Sequence, residues 1–448
     1  MNTPVDAARI PELSAVVASA LEEARRQGAT QAEASVGLQR GLNVTVRLGE
    51  VDTMEYHRDR GLAVTVYMGQ RKGAASTADL RPEAVVESVT KACSIARYTA
   101  EDDCAGLADA DRLARDFPDL DIDHPWDIEP DRAVELAREC EAAGRALDRR
   151  IGNSEGATLT SHRALRVYGN SHGFMGGFPC TSHSVSCALI AEGEGQMQRD
   201  YWHTVARSAA DLESPAAVGR RAAERTVARL GARRLGTRRL PVLFAPEIAR
   251  GLYGHFIGAV RGASQYRRSS FLLDAAGEQI FPSFLQMSER PHLPRALASV
   301  PFDLEGVATR DRELIHDGVL DGYICGSYSA RRLGIATTGN AGGTHNLLVR
   351  APSIESSLEQ LLQQMGTGLW VTELMGQGVN PVTGDYSRGA SGFFVENGAV
   401  AYPVHEITIA GSLREMYRHI VGIGNDIDAQ GNVRCGSVLI DAMTIAGT

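Results

Sequence analysis

The sequence predicts an α+β chain of two domains. Three observations carry that prediction. The 448 residues exceed what one ordinary core holds. Helix-period and strand-period apolar patterns alternate through the first half. Past an arginine-rich segment at 232–239, glycine becomes dense and strand patterns prevail. The boundary therefore falls there. It separates an N-terminal α/β domain over 1–235, with helices packed on a mixed or antiparallel sheet, from a β-rich C-terminal domain over 236–448.

Each element follows from its own pattern. Leu13, Val16, Val17, Ala20, Leu21 and Ala24 recur at three- and four-residue steps, which gives a helix with one apolar face and a stop at Gly28. Leu42, Val44, Val46 and Leu48 alternate with polar residues, as do Leu62, Val64 and Val66, so both runs read as strands. The turn-rich Gly69–Gly73 follows. A second helix starts near Pro82 and turns Val85, Val89, Ala92 and Ala96 inward; proline is well tolerated in a first turn. Residues 99–129 are acidic, contain Pro118 and Pro125, and read as a connecting loop. A third helix runs from about Pro130 to Leu147. Strands come next at Ala164–Tyr168 and Ser184–Ala191, then a helix capped by Ser214-Pro215 and ending near Gly231. Beyond the boundary, Leu240–Ala245 is a buried strand and Glu247–Val260 a helix. Gly392–Glu396, Ala399–Pro403 and Glu406–Ile409 are later strands, the first two joined by an Asn397-Gly398 hairpin turn.

Composition narrows the function. Hydrophobic residues make up 43% and charged residues 23%, as in ordinary globular proteins. The net charge of −9 argues against direct nucleic-acid binding, which needs a basic face. Arg233, Arg234, Arg238 and Arg239 are the one local basic cluster, best read as a solvated interdomain linker. No run approaches the ~20 apolar residues of a membrane span, and the first residues lack a secretory pattern. The seven cysteines are scattered and form no C-x-x-C pair, which fits reduced thiols and a cytoplasmic location.

Several motifs fail on inspection. Gly169-Asn170-Ser171-His172-Gly173 matches G-x-S-x-G, but the glycine-rich segment after it cannot start the helix a nucleophile elbow needs, so it reads as a hairpin turn. His405-Glu406 has no second histidine at the right spacing and sits in a β-branched strand. Thr337–Asn346 lacks a G-K-[ST] ending; a packed turn fits better than a ligand loop. Met365–Leu369 is a weak dinucleotide fingerprint. Residues 384–393 form a polar, glycine-rich turn in which Asp385 and Arg388 either pair or contact a substrate main chain.

The helix at 247–260 is the most informative segment. A zinc-peptidase helix needs two imidazoles on one face and a glutamate to activate water. Here His255 stands alone. The other two chemical positions of an H-E-x-x-x-H pattern ending there are Arg250 and Gly251, neither of which binds zinc or acts as a base.

Long motifs along nearly the whole chain resemble the TldD/PmbA family, on its PmbA (TldE) branch. They include N-S-H-G-F at 170–174, G-x-x-G-H at 251–255, Y-R-R-S-S-F-L-L-D at 266–274, M-G-T-G-L-x-V-T-E-L-M-G-Q-G at 365–378 and C-G-S-V-L at 435–439. The resemblance implies a two-domain TldD/PmbA-like fold. It also implies one subunit of a heterodimeric metalloprotease, paired with a TldD-like paralogue, that processes leader peptides, antitoxins and unfolded polypeptides. In the TldD branch an H-E-x-x-x-H helix and a later cysteine hold the metal. Those positions fall on Arg250, Gly251, His255 and Cys435 here. The expectation is a chain with no catalytic or metal residues and no cofactor of its own, whose partner carries zinc or another divalent metal. It would form a homodimer when alone, and Asn340, His345, Asp385, Arg388 and Ser391 are candidates for lining a substrate channel. The alternatives are a self-sufficient hydrolase using Ser171 and a regulatory protein acting on DNA gyrase.

Overall fold

The computed structural model describes residues 5–193 and 195–447. Its first half is two copies of one unit: helix, three strands, helix. The first copy is α1 (Ile10–Arg26), β1 (Gln31–Arg47), β2 (Glu50–Met68), β3 (Arg71–Thr77) and α2 (Pro82–Tyr98). The second is α3 (Pro130–Arg145), β4 (Asn153–Asn170), β5 (Met175–Gly193), β6 (Gln196–Ala206) and α4 (Pro215–Ala228). All four helices carry proline in the first turn, where no intrahelical N–H is lost.

The six strands form one antiparallel sheet in the order β3-β2-β1-β4-β5-β6, with β1 and β4 paired at its centre. Even-numbered residues of β1 face the helices. Ala32 to Leu38 join the core under α1 and α2; Leu42 to Val46 join a second core under α3 and α4. Gly144 and Gly219 let α3 and α4 touch backbone to backbone: a Cβ at Gly219 would sit 1.8 Å from the Cys140 carbonyl oxygen.

The second half holds β7 (Arg238–Phe244), α5 (Pro246–Val260), α6 (Gly262–Tyr266), β8 (Gln286–Glu289), β9 (Arg312–His316), β10 (Val319–Leu320) and α7 (Ser327–Leu333). It continues with β11 (Leu347–Arg350), β12 (Glu355–Ser356), α8 (Leu358–Met365), β13 (Gly368–Met375), β14 (Asp385–Glu396) and β15 (Ala399–Ser412). It ends with α9 (Leu413–Arg418), β16 (Ile420–Gly424), β17 (Val433–Arg434) and β18 (Val438–Ala446). Strands β7, β13, β14, β15 and β18 close on themselves, because β7 pairs with both β13 and β18. A smaller sheet has the order β10-β9-β8-β11-β17. One core joins barrel, small sheet and α5, with Tyr253 and Phe256 of α5 fully buried.

Several predicted elements change in extent. β1, β4 and β5 run for 17 to 19 residues, because the same face keeps finding helices to pack on; β2 runs for 19 but buries side chains only from Leu62 onward, its first part being held by pairing with β1. Ala399–Pro403 and Glu406–Ile409 are one strand, β15, interrupted by a bulge where Glu406 takes φ +49°. The Asn397-Gly398 turn has φ +54° and +76°, as a type I′ hairpin requires. The arginine cluster is solvated, all four side chains being exposed, but it is also tied into the C-terminal sheet. Arg233 lies 4.7 Å from the Tyr402 ring centroid, Arg234 pairs with Glu406, and Arg238 and Arg239 belong to β7. Gly366 ends α8 and a strand follows, the reverse of the strand-to-helix order a dinucleotide loop needs. No helix among the described residues is long and apolar enough to cross a membrane.

The halves meet at an aromatic cluster, Tyr168, Phe174 and Phe302, and at the neighbouring Asp303. The Asp303 carboxyl accepts the N–H groups of Glu305, Val307 and Ala341, each at 2.9 Å. Burial, and then Glu305, push its pKa up to about 7. The unfolded chain ionises this group near 4, so its folded-state advantage is complete at low pH and is lost as pH rises through 7. The stability difference between the parent and Asp303→Asn should therefore shift against the parent by roughly 3 kcal/mol from pH 5 to pH 8, read by urea unfolding. A difference independent of pH would show that the carboxyl ionises normally in the fold.

Candidate active-site helix

Helix α5 leaves the barrel directly from β7 and buries one stripe in the core. Its other stripe carries Glu247, Arg250, Gly251, Gly254, His255 and Gly258, spaced at three and four residues. A Cβ at Gly251, Gly254 or Gly258 would meet nothing within 4 Å, so this face looks onto open space. The residues matching a peptidase helix thus sit where a substrate could reach them.

Their chemistry is different from that of a metal centre. Arg250 Nη1 lies 3.4 Å from Asp428 Oδ2. Asp428 N–H donates to the Cys435 carbonyl oxygen at 3.0 Å, which brings the arginine, the aspartate and the cysteine to one place. Cys435 is wholly buried, and its thiol points to the Pro246 carbonyl oxygen at 3.8 Å. Burial, then Asp428, push this thiol far up, so the thiolate a metal needs is disfavoured. His255 is half-buried, its ring edge-on to Tyr386 with centroids 6.1 Å apart. Burial, then the Arg388 guanidinium, lower its pKa, so the imidazole is neutral at pH 7. One imidazole, one protonated thiol and a guanidinium paired with a carboxylate do not fit a bound cation. Among the described residues no three His, Cys, Asp or Glu side chains converge as a metal-holding group.

The other candidates separate. Asn340 and His345 are buried and turn away from solvent. Asn340 Nδ2 donates to Glu289 Oε1 at 2.7 Å, the His345 N–H donates to the same oxygen at 2.7 Å, and the His345 ring bonds the Gly339 carbonyl. The 337–346 loop is thus a packed turn around the buried Glu289, which Arg312 also pairs at 2.7 Å. Asp385 and Arg388 lie in strand β14, not in a turn, and point to opposite faces. They do not pair: Asp385 accepts from Thr383 Oγ1 at 2.6 Å and Arg388 donates to the Met375 carbonyl at 3.2 Å. Ser391 is buried. Of these five, Arg388 is the one brought close to His255 on α5. Ser171 sits in the β4–β5 hairpin turn, where its Oγ accepts the Ala32 N–H at 3.0 Å, while the neighbouring His172 ring bonds the Ala108 carbonyl at 2.9 Å instead of the serine.

The sequence hid a network that packs α4 and β6 against the N-terminal end of α5. Arg225 of α4 and Arg229, which caps the end of α4, both reach the buried Asp200 at 3.3 Å. Arg225 also reaches Glu247 of α5 at 2.6 Å, and Arg229 pairs with Glu373 of β13. Arg221 stacks on Trp202, 3.7 Å from the ring centroid. Gln430, two residues past Asp428, accepts the Val205 N–H at 3.1 Å, which ties the Asp428 loop to β6. Nearby His203 is held below the usual imidazole range by burial first and Arg250 second. The one local signal is the four-residue spacing of Arg221, Arg225 and Arg229; their acidic partners are distant in sequence.

Residues 32–96, 123–230 and 237–447 match PmbA/TldA metallopeptidase domain 1, central domain and C-terminal domain. Metalloprotease PmbA of Escherichia coli O157:H7 is 51% identical over 435 residues, 97% of this chain and 96% of the relative. The Haemophilus influenzae homologue of PmbA is 48% identical over 446 residues, 100% of this chain and 98% of the relative. The TldD homologue of the same H. influenzae strain is 25% identical over 230 residues, 46% of each chain. Among solved structures, a candidate modulator of DNA gyrase from Bacteroides thetaiotaomicron superposes with TM-score 0.92 at 26% identity, over 98% of this chain and all of that one. TldE from Thermococcus kodakarensis has TM-score 0.85 at 19% identity, over 96% of this chain and 100% of that one, a likeness of fold. By matched domains, identity and coverage, the chain belongs to the PmbA/TldD family of metallopeptidases.

Proposed function

We propose that this chain is the non-catalytic, PmbA/TldE-like subunit of a heterodimeric metalloprotease acting on peptides and unfolded polypeptides, leader peptides and antitoxins among them. The TldD-like partner supplies the zinc or other divalent metal and the base. The observation that carries this reading is the Arg250–Asp428 pair beside the protonated Cys435, with Gly251 where a base would stand. A guanidinium fixed there repels a divalent cation, and no side chain at 251 can take a proton from water. Two relatives, one PmbA-like and one TldD-like, come from a single H. influenzae strain, as a paired system would require. The open, glycine-lined face of α5, flanked by Arg250 and Arg388, is the stretch best suited to lie along an extended peptide, through main-chain contacts.

The test is co-expression with the TldD-like paralogue of the same organism. The expected result is co-purification, metal in the complex, and cleavage of an unfolded polypeptide that stops on chelation. The lone chain should carry no stoichiometric metal and cleave nothing. Metal at about one ion per chain together with cleavage by the lone chain would overturn the reading.

A further inference from the structure

The helix-facing side of the N-terminal sheet changes character between its two cores. Leu38 and Leu165 belong to the core under α1 and α2, Leu42 and Leu159 to the core under α3 and α4. Between them stand Arg40 of β1, Ser161 and Arg163 of β4, and His183 of β5, cross-strand neighbours on one face. The segment at 121–128 lies over them. Asp123 holds Arg163 in a bidentate pair at 2.9 and 2.6 Å, and Asp127 pairs with Arg40. A cleft of about 570 Å³ opens beside these residues, with Leu42, Trp126, Ser161 and His183 in its wall.

Ser161 and His183 are directly opposed across β4 and β5, with Ser161 Oγ 3.0 Å from His183 Nδ1. The other ring nitrogen, Nε2, lies 2.9 Å from the His124 carbonyl oxygen. A carbonyl oxygen only accepts, so Nε2 carries the proton and Nδ1 of the neutral ring is a bare acceptor. Ser161 therefore donates its hydroxyl proton to Nδ1. The other acceptor near that hydroxyl, the Trp126 carbonyl, is farther away at 3.5 Å. Burial above all holds His183 below the usual imidazole range, which keeps the ring neutral at pH 7. Trp126 packs edge-on against it, ring centroids 5.5 Å apart. His183 is buried while Ser161 is half-buried in the cleft wall, so the base is shielded and the hydroxyl is reachable. Nucleophile, base and the group that orients the base are all in place.

We propose that Ser161 is a nucleophile for activated acyl groups, with His183 as its general base. Ser161 Oγ bonds to the acyl carbon as its proton passes to His183 Nδ1. The bond from acyl carbon to leaving group breaks, and the leaving oxygen or sulfur takes that proton. Water then attacks the acyl-serine by the same route, releasing a carboxylic acid and restoring the hydroxyl. The imidazolium formed midway is steadied by the His124 carbonyl, which accepts more strongly from a charged ring. Arg163, two residues along β4 on the same face, bonds Asp123 through Nε and Nη2, so Nη1 is the donor left for charge on the acyl oxygen. The N–H groups of β4 serve its pairing with β1 and β5 and build no oxyanion hole. That confines the reaction to good leaving groups, esters and thioesters, and excludes the peptide amides of the function proposed above.

The experiment uses the full chain alone, with a chelator present. A fluorophosphonate probe should label it, and peptide mass spectrometry should place the adduct on Ser161. p-Nitrophenyl acetate should be hydrolysed with acetyl transiently on the same residue. Ser161→Ala should abolish both. His183→Gln should slow labelling by about a hundredfold or more, the share a general base contributes. Ser182→Ala, whose side chain lies on the opposite face of β5, should label as the parent does. Urea unfolding of each variant separates a lost hydroxyl from a lost fold. Ser161→Cys, similar in size, should again take up acetyl at residue 161, which a collapsed site cannot do. A parent that resists the probe would overturn the proposal, as would an adduct on another serine. So would a His183→Gln chain that labels at the parent's rate. Chelation leaves these results unchanged but stops the peptide cleavage expected of the heterodimer, so either reading can fail without the other.

Discussion

Gly219→Val should destabilise the chain by about 3 kcal/mol or more, which places it among the most damaging single substitutions available. The reason is a contact between backbones. A Cβ at Gly219 falls 1.8 Å from the Cys140 carbonyl oxygen and 3.1 Å from Gly144 N, so no side-chain rotation relieves it. α3 would have to move off α4, opening the core that Ala133, Ala137, Val218 and Ala222 fill. Gly144→Ala should act in the same direction, since its Cβ meets the Gly219 carbonyl at 2.6 Å. Gly152→Ala is the control: its Cβ meets nothing within 4 Å, and the change should stay within about 0.5 kcal/mol. Urea unfolding of the three variants reads the order directly. A Gly219→Val chain as stable as the control would mean the helices are not held at this separation.

Arg229→Leu should cost about 3–5 kcal/mol for a different reason. Its guanidinium is 8% exposed and joins two carboxylates from the two halves of the chain, Asp200 on β6 and Glu373 on β13. Leucine would leave the buried Asp200 with Arg225 as its remaining cation and Glu373 without its bridging partner. Removing one member of a buried pair costs more than the pair itself contributes, because the survivor stays desolvated. Arg229→Lys keeps the charge but lacks the planar fork that reaches both acids, so it should fall between parent and leucine. The measurement is again urea unfolding, with a protease-sensitivity assay reporting whether the halves separate first. A loss of under about 1 kcal/mol for Arg229→Leu would show that water already solvates this network.

What was legible in the sequence was what repeats at short range. The apolar steps of Leu13 to Ala24 and of Val85 to Ala96 gave α1 and α2 to within a turn, and Asn397-Gly398 gave its hairpin. Residues 169–173 read correctly as a hairpin connection, with Gly169 and Asn170 still in β4, because the glycine-rich segment after them cannot start the helix a nucleophile needs. Strand length was not legible: Arg40 and Arg163 break the apolar alternation of β1 and β4, yet they are cross-strand partners in the middle of the sheet. At the site, the identities at 250, 251 and 255 were readable as missing chemistry. The Asp428 that holds Arg250 was not, because it lies 178 residues away and nothing local marks it. Asn340 and His345 resembled ligand contacts because polar residues among glycines fit a turn around a buried carboxylate equally well.

β1 has a consequence for how the N-terminal half comes apart. One unbroken strand supplies Ala32 to Leu38 to one core and Leu42 to Val46 to the other, and β4 crosses it antiparallel and does the same. Neither helix pair can melt without baring half of a strand whose other half is still clamped. Fluctuations that open one unit are therefore resisted by its twin, and the two copies behave as a single cooperative block whose slowest-exchanging amides lie along β1 and β4.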